Sequence, residues 1–121
     1  LAISSAASDV YKRQIEFLST SYIRGTTFNN SILIIDECQN LTFHELDSII
    51  TRVGNNCRII FCGDYYQSDF KQAKDKAGII EFIDIIEHLN RFSVIEFDWK
   101  DIVRSDFVRD YIMTKEMLEK K

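Results

Sequence analysis

The sequence predicts a three-layer α/β fold on a mostly parallel sheet, and three observations carry the prediction. Two short, largely β-branched apolar runs, SILII (31–35) and CRIIFC (57–62), have strand length and the look of strands buried on both faces of a parallel sheet. Segments of helical length and period follow them. The resulting order of strand, helix, strand, helix, strand, helix is the rhythm of an α/β parallel sheet.

Taken in order, LAISSAASDVYKRQ (1–14) lacks a starting methionine, is small and polar, and resembles adapter-like translated ends, so it is read as a non-native lead-in outside the fold. IEFL (15–18) reads as a short strand, and the polar stretch after it turns at Gly25 and at Asn29-Asn30. After SILII a helix is well signed. Thr42 and Glu45 form a T-x-x-E capping box, Leu46, Ile49, Ile50 and Val53 share one face, and Gly54 stands where a left-handed stop belongs. CRIIFC follows and ends at Gly63-Asp64. AGIIEFIDIIEHLNR (77–91) has helical length with apolar residues spread widely around it, which implies more than one packing neighbour. SVIEF (93–97) reads as a further strand. From Ser105 a last helix shows Phe107, Val108, Tyr111, Ile112 and Leu118 on a broad face.

Composition narrows the functional classes. The 121 residues, 45% hydrophobic and 28% charged, suit one compact unit. A net charge of -4 lacks the basic excess of a protein that holds nucleic acid by charge alone, so any such contact is local. Three cysteines, Cys38, Cys57 and Cys62, contain no C-x-x-C pair, which suggests a reducing compartment and argues against structural zinc. His44 and His88 stand without nearby ligand partners. No apolar run approaches the roughly 20 residues needed to span a bilayer, and the first residues lack the n-region and h-region pattern of a signal peptide; a cytoplasmic protein with no membrane partner is expected.

Ligands of open parallel sheets gather beyond the carboxyl ends of the strands. Both acidic turns of this chain lie at such ends: Asp36-Glu37 closes the first buried run, and GDYYQSD (63–69) closes the second. A magnesium ion takes carboxylate oxygens and keeps several waters, a task that suits Asp36. A second carboxylate one residue on can orient or deprotonate an attacking water, which suits Glu37. Gly63 permits a sharp turn beneath a ligand, and the Gln67 amide can both donate to and accept from a phosphate or its attacking water. The plain alternatives are a strand ending in solvated acids and a polar turn in which Asp64 caps the next segment.

SILIIDECQN, RVGNNCRIIFCGDYYQSD and SYIRGTTFNN together resemble the PhoH family of P-loop ATPases, with particular similarity to its phage members. IIDE matches that family's Walker B strand, and GDYYQSD its G-D-x-x-Q-x-D segment, a counterpart of helicase motif III. The resemblance is strong from Ile15 to Asp69 and weaker through DIVRSDFVRDYI (101–112). It implies a RecA-like core that binds and hydrolyses ATP with magnesium. Carried over, Asp36 is the metal carboxylate, acting through water, Glu37 the catalytic base and Gln67 the γ-phosphate sensor, with Gly63 and Asp64 shaping its turn. Arg104 matches a phosphate-contacting arginine, within one subunit or across a boundary, and Arg24 also matches the family. Each arginine has an equally plain reading, Arg104 as a surface residue and Arg24 as a structural ion pair. The resemblance further implies coupling to RNA or single-stranded DNA, assembly as a ring or hexamer, and a host cytoplasm if the gene is phage-borne.

No G-x-x-x-x-G-K-[ST] phosphate loop occurs in the sequence. In the family it lies upstream, so 15–121 is expected to be the C-terminal part of a RecA-like ATPase domain, inactive alone. Two other classes compete: a metal-dependent nuclease built on Asp36, Glu37, Asp64 and Asp69, and a non-catalytic receiver-like binding module. Tyr65 and Tyr66 offer stacking faces or packing, Lys71, Lys74 and Lys76 a phosphate contact or a solvated face, and Trp99 a core anchor.

Overall fold

The computed structural model describes residues 2–5, 15–20, 23, 25–64 and 73–119, with 2–5 and 73–77 described for their backbone only. The chain divides into two compact units, Leu1–Asn90 and Arg91–Lys121.

The first unit is an α/β layer structure. Its sheet contains β1 (Ala2–Ser5), β2 (Glu16–Phe17), β3 (Ser31–Ile35) and β4 (Arg58–Phe61), in the order β2-β1-β3-β4. β3 and β4 are parallel and in register from Ile32 opposite Arg58 to Ile35 opposite Phe61. The other two pairings are antiparallel, so the sheet is mixed where the sequence suggests a mostly parallel one. The difference comes from residues set outside the fold on sequence grounds, since Ala2–Ser5 inserts between β2 and β3.

Loops stitch the entry ends of β3 and β4 together. The Asn30 amide donates to the Asn55 carbonyl at 3.0 Å, and the Asn56 side chain donates to that of Asn30 at 3.0 Å. Both asparagines adopt left-handed backbone, with φ of 53° and 55°, which their short polar side chains tolerate. Gly54 meets this seam differently from expectation. It has no left-handed backbone. Its amide instead donates to the Phe28 carbonyl at 2.7 Å, and an added Cβ would stand 2.6 Å from that same oxygen. Glycine is required there by close approach.

Helix α1 (Phe43–Ile50) begins at the capping box read from the sequence: Thr42 accepts from the Glu45 amide, and the Glu45 carboxylate accepts from the Thr42 amide. Helix α2 (Ala73–Glu87) starts and ends four residues earlier than the sequence pattern suggests. Its end is closed by tighter bonds from His88 to Ile85 and from Leu89 to Ile86. The helices approach closely at Gly78, where a Cβ would stand 3.2 Å from the Phe43 amide. Phe82 of α2 packs edge-on against Phe61 of β4, ring centroids 5.0 Å apart.

The core collects Leu33 and Ile35 from β3, Leu46 and Ile49 from α1, and Ile79, Phe82 and Ile86 from α2. Full burial of such side chains contributes about 1.5–3 kcal/mol each. Burial along β3 alternates, however, and Ile32, Ile34 and Ile60 are exposed. The two central strands are thus covered on one face among the described residues, where the sequence reads both as buried on two. An unbroken apolar run looks the same whether one face is covered or both.

In the second unit SVIEF forms no strand, and Val94, Ile95 and Phe97 are exposed. A β-branched run needs a hydrogen-bonding neighbour to become a strand, and the described residues supply none. A 3-10 turn at Trp99–Asp101 is capped by Asp98, and α3 spans Asp106–Glu119. Trp99 is half-buried and not a core anchor. Its indole N-H donates to the Glu116 carboxylate at 2.7 Å, tying the turn to α3. The broad face of α3 is open, with Phe107, Tyr111 and Leu118 exposed.

Candidate functional site at the ends of β3 and β4

Parallel pairing in register brings Asp36-Glu37, just after β3, beside Gly63-Asp64, just after β4, because β3 and β4 end together at Ile35 and Phe61. The pairing runs on past the strands: the Cys62 amide donates to the Ile35 carbonyl at 2.8 Å, and the Cys38 amide to the Cys62 carbonyl at 2.9 Å.

Between those contacts the chain turns sharply. Glu37 has φ 52° and ψ 39°, a left-handed conformation that costs a non-glycine residue about 1–2 kcal/mol. Such strain persists only where surrounding structure holds it, and it recurs at functional sites. Here the Glu37 amide donates to the Asp36 carboxylate at 3.0 Å, and a 3-10 turn, Cys38–Asn40, follows at once. Asp36 and Glu37 are both exposed.

Gln39 lies at the centre of the site and is not singled out by the sequence reasoning. It is 2% exposed. Its Nε2 donates to Glu37 Oε2 at 2.6 Å, and its Oε1 accepts from the Asp64 amide at 3.2 Å. One side-chain amide therefore bridges the residues just after β3 and the backbone just after β4. The only sequence signal for it is a polar residue two positions after an acidic pair, and polarity alone suggests exposure.

Gly63 serves this bridge. It has no left-handed backbone, so conformational freedom is not the reason for glycine. A Cβ there would stand 2.6 Å from Gln39 Oε1 and 2.7 Å from Cys38 Sγ. Cys38 is buried against this contact, and burial, followed by the proximity of Cys62, pushes its thiol up to about 11.

Of the residues selected from sequence, the structure brings together Asp36, Glu37, Gly63 and Asp64. Arg104 lies in the second unit, exposed, just before Ser105, whose carbonyl accepts from the Arg109 amide at 2.9 Å in the first turn of α3. Gln67, Arg24, Asp69, Tyr65, Tyr66 and Lys71 lie outside the described residues, as do the side chains of Lys74 and Lys76. Among the described residues no three Asp, Glu, His or Cys side chains converge on a metal-sized site. A hydrated magnesium ion does not need three, because one or two carboxylates plus substrate phosphates and water complete its shell. The exposed Asp36 carboxylate fits that use.

A family model described as PhoH-like protein matches residues 2–116. The chain belongs to the PhoH family. Relatives include a PhoH-like protein of Mycobacterium leprae, 32% identical over 98 residues, which are 81% of this chain and 28% of that protein. Protein PhoH of Escherichia coli K12 is 32% identical over 92 residues, 76% of this chain and 26% of its own length. A PhoH-like protein of Bacillus subtilis is 32% identical over 98 residues, 81% of this chain and 30% of its length. This PhoH-family chain thus spans less than a third of the length of those curated relatives. The match includes the strand Ala2–Ser5 as well as the two acidic turns. Among its described residues no helix is long and apolar enough to cross a membrane.

Proposed function

We propose that this PhoH-family chain supplies the metal-carboxylate and water-orienting part of an ATP-hydrolysing site in a P-loop NTPase with a RecA-like, three-layer core. The observation that carries this reading is the junction of the acidic pair and the Gly63–Asp64 turn at the ends of two parallel neighbouring strands, where such folds bind ligands.

Asp36 holds magnesium through water, and Glu37 orients the water that attacks the terminal phosphate. A magnesium ion held there by Asp36 would supply positive charge to offset that of the phosphates. Gln67 senses the γ-phosphate from the turn that Gly63 and Asp64 begin. Arg104 and Arg24 are the candidate phosphate-contacting arginines, Arg104 in its own subunit or across a boundary in a ring or hexamer. The hydrolysis drives remodelling of RNA or single-stranded DNA in the cytoplasm.

The test is made in the full-length protein that contains this chain. Glu37→Gln keeps nucleotide and loses turnover by about a hundredfold or more, the range of an essential general base. Asp36→Ala weakens magnesium-dependent binding. Wild-type steady-state rates in both variants would reject the assignment.

A further inference from the structure

We infer that Gln39 is a positioning residue that couples the Glu37 carboxylate to the backbone at Gly63–Asp64, so that a ligand seated beside those two residues aims the acid at the end of β3. The inference rests on the hydrolytic reading of this site and deepens it.

Three observations support it. Gln39 is 2% exposed although it is polar and lies on a short turn, so its amide is committed to protein partners. The two ends of that amide serve different strands, with Nε2 on Glu37 Oε2 and Oε1 on the Asp64 N-H. Reversing the amide would set oxygen against carboxylate and N-H against N-H, so its orientation is fixed by both partners. Finally, Gly63 has no side chain at the contact, and even one carbon there would stand 2.6 Å from Gln39 Oε1. The space at Gly63 is the space the bridge occupies.

The consequence is mechanical. Glu37 is on a left-handed turn with an exposed side chain, which by itself permits many rotamers. A charge-assisted bond of 2.6 Å from a buried donor restricts them. A shift of the Asp64 amide moves Oε1, and the rigid amide carries that shift to Nε2 and to the carboxylate.

Gln39→Met preserves volume and removes the side-chain bonds to Glu37 and to the Asp64 amide. In this chain it accelerates hydrogen exchange at the Asp64 amide by about tenfold, the value of one net hydrogen bond. In the full-length protein it lowers kcat by about tenfold and leaves KM for ATP unchanged, because aim is lost and binding is not. Gly63→Ala attacks the same bridge from the other strand and should reproduce both effects, with the double variant no worse than the more affected single one. The inference is overturned if Glu37→Gln abolishes turnover while Gln39→Met and Gly63→Ala keep wild-type kcat and wild-type Asp64 exchange. Wild-type turnover in Glu37→Gln would instead overturn the hydrolytic reading and this inference with it.

Discussion

The Cys38 amide donates to the Cys62 carbonyl across 2.9 Å, three residues beyond the end of β3 but only one beyond the end of β4. The extra residues on the β3 side are Asp36 and Glu37, looped out between two points of attachment. A left-handed Glu37 is what allows the chain to return to its neighbour so quickly. The acidic pair is thus displayed by the same bonds that hold the strand ends together.

Return of the chain also turns the Cys38 side chain inward, and this sets a pH dependence. Its thiol is pushed up from 9.0 to about 11, chiefly by burial. The sign follows from which state ionises first: the unfolded thiol loses its proton at lower pH than the folded one. Cys38 therefore costs no stability below the unfolded value of 9.0, and stability falls as pH rises from there towards about 11. At pH 8 its thiolate fraction is about a hundredfold below that of an ordinary cysteine. Alkylation with iodoacetamide, resolved by mass spectrometry, should label Cys57 and Cys62 well before Cys38. Equal rates at all three sites would contradict the buried placement.

Two glycines allow a test of close approach against backbone freedom. At Gly54 an added Cβ meets the Phe28 carbonyl at 2.6 Å and the Thr27 methyl at 2.9 Å. Gly54→Ala should destabilise the chain by about 1–3 kcal/mol through overpacking at the seam between β3 and β4. Gly25 has φ +76° and, among the described residues, nothing within 4 Å of a built Cβ. Gly25→Ala should cost about 1–2 kcal/mol from conformation alone. Since Gly25 has space and Gly54 has none, Gly25→Asn should recover most of its loss and Gly54→Asn none, as read from urea midpoints.

That contrast marks how far the sequence could be read. The capping box, the asparagine turn and both central strands were legible because each depends on residues close in the chain, as with Thr42 and Glu45. The juxtaposition of Asp36 with Asp64 was legible from parallel topology, since both runs end in acid. Gln39 was not, because its side-chain oxygen accepts from a residue 25 positions away. The reason for glycine at 54 and 63 was equally hidden, being set by what packs opposite. SVIEF misled because β-branched composition reports a preference that is realised only beside another strand.

The capping box at the head of α1 has a direct energetic expectation. Thr42 Oγ1 accepts from the Glu45 amide at 3.2 Å, and the Thr42 amide donates to Glu45 Oε1 at 3.2 Å. Thr42→Ala removes the first of these and should cost about 1 kcal/mol, whereas Thr42→Ser should be close to neutral. Because α1 places Leu46 and Ile49 in the core, the loss should appear in the global denaturation midpoint and not merely as fraying.

The single tryptophan reports on the second unit. Its indole N-H donates to Glu116 Oε2 at 2.7 Å, spanning from the 3-10 turn to the third turn of α3. The bond is part-buried, so water competes for both partners and the net contribution is about 1 kcal/mol. Glu116→Ala releases the indole and removes the tie between turn and helix. The expected result is a red-shifted Trp99 emission together with reduced helical signal at 222 nm, and Glu116→Gln, which keeps an acceptor, should restore most of both. If Glu116→Ala left emission and helicity at wild-type values, the Trp99–Glu116 bond would not be what holds the turn to α3.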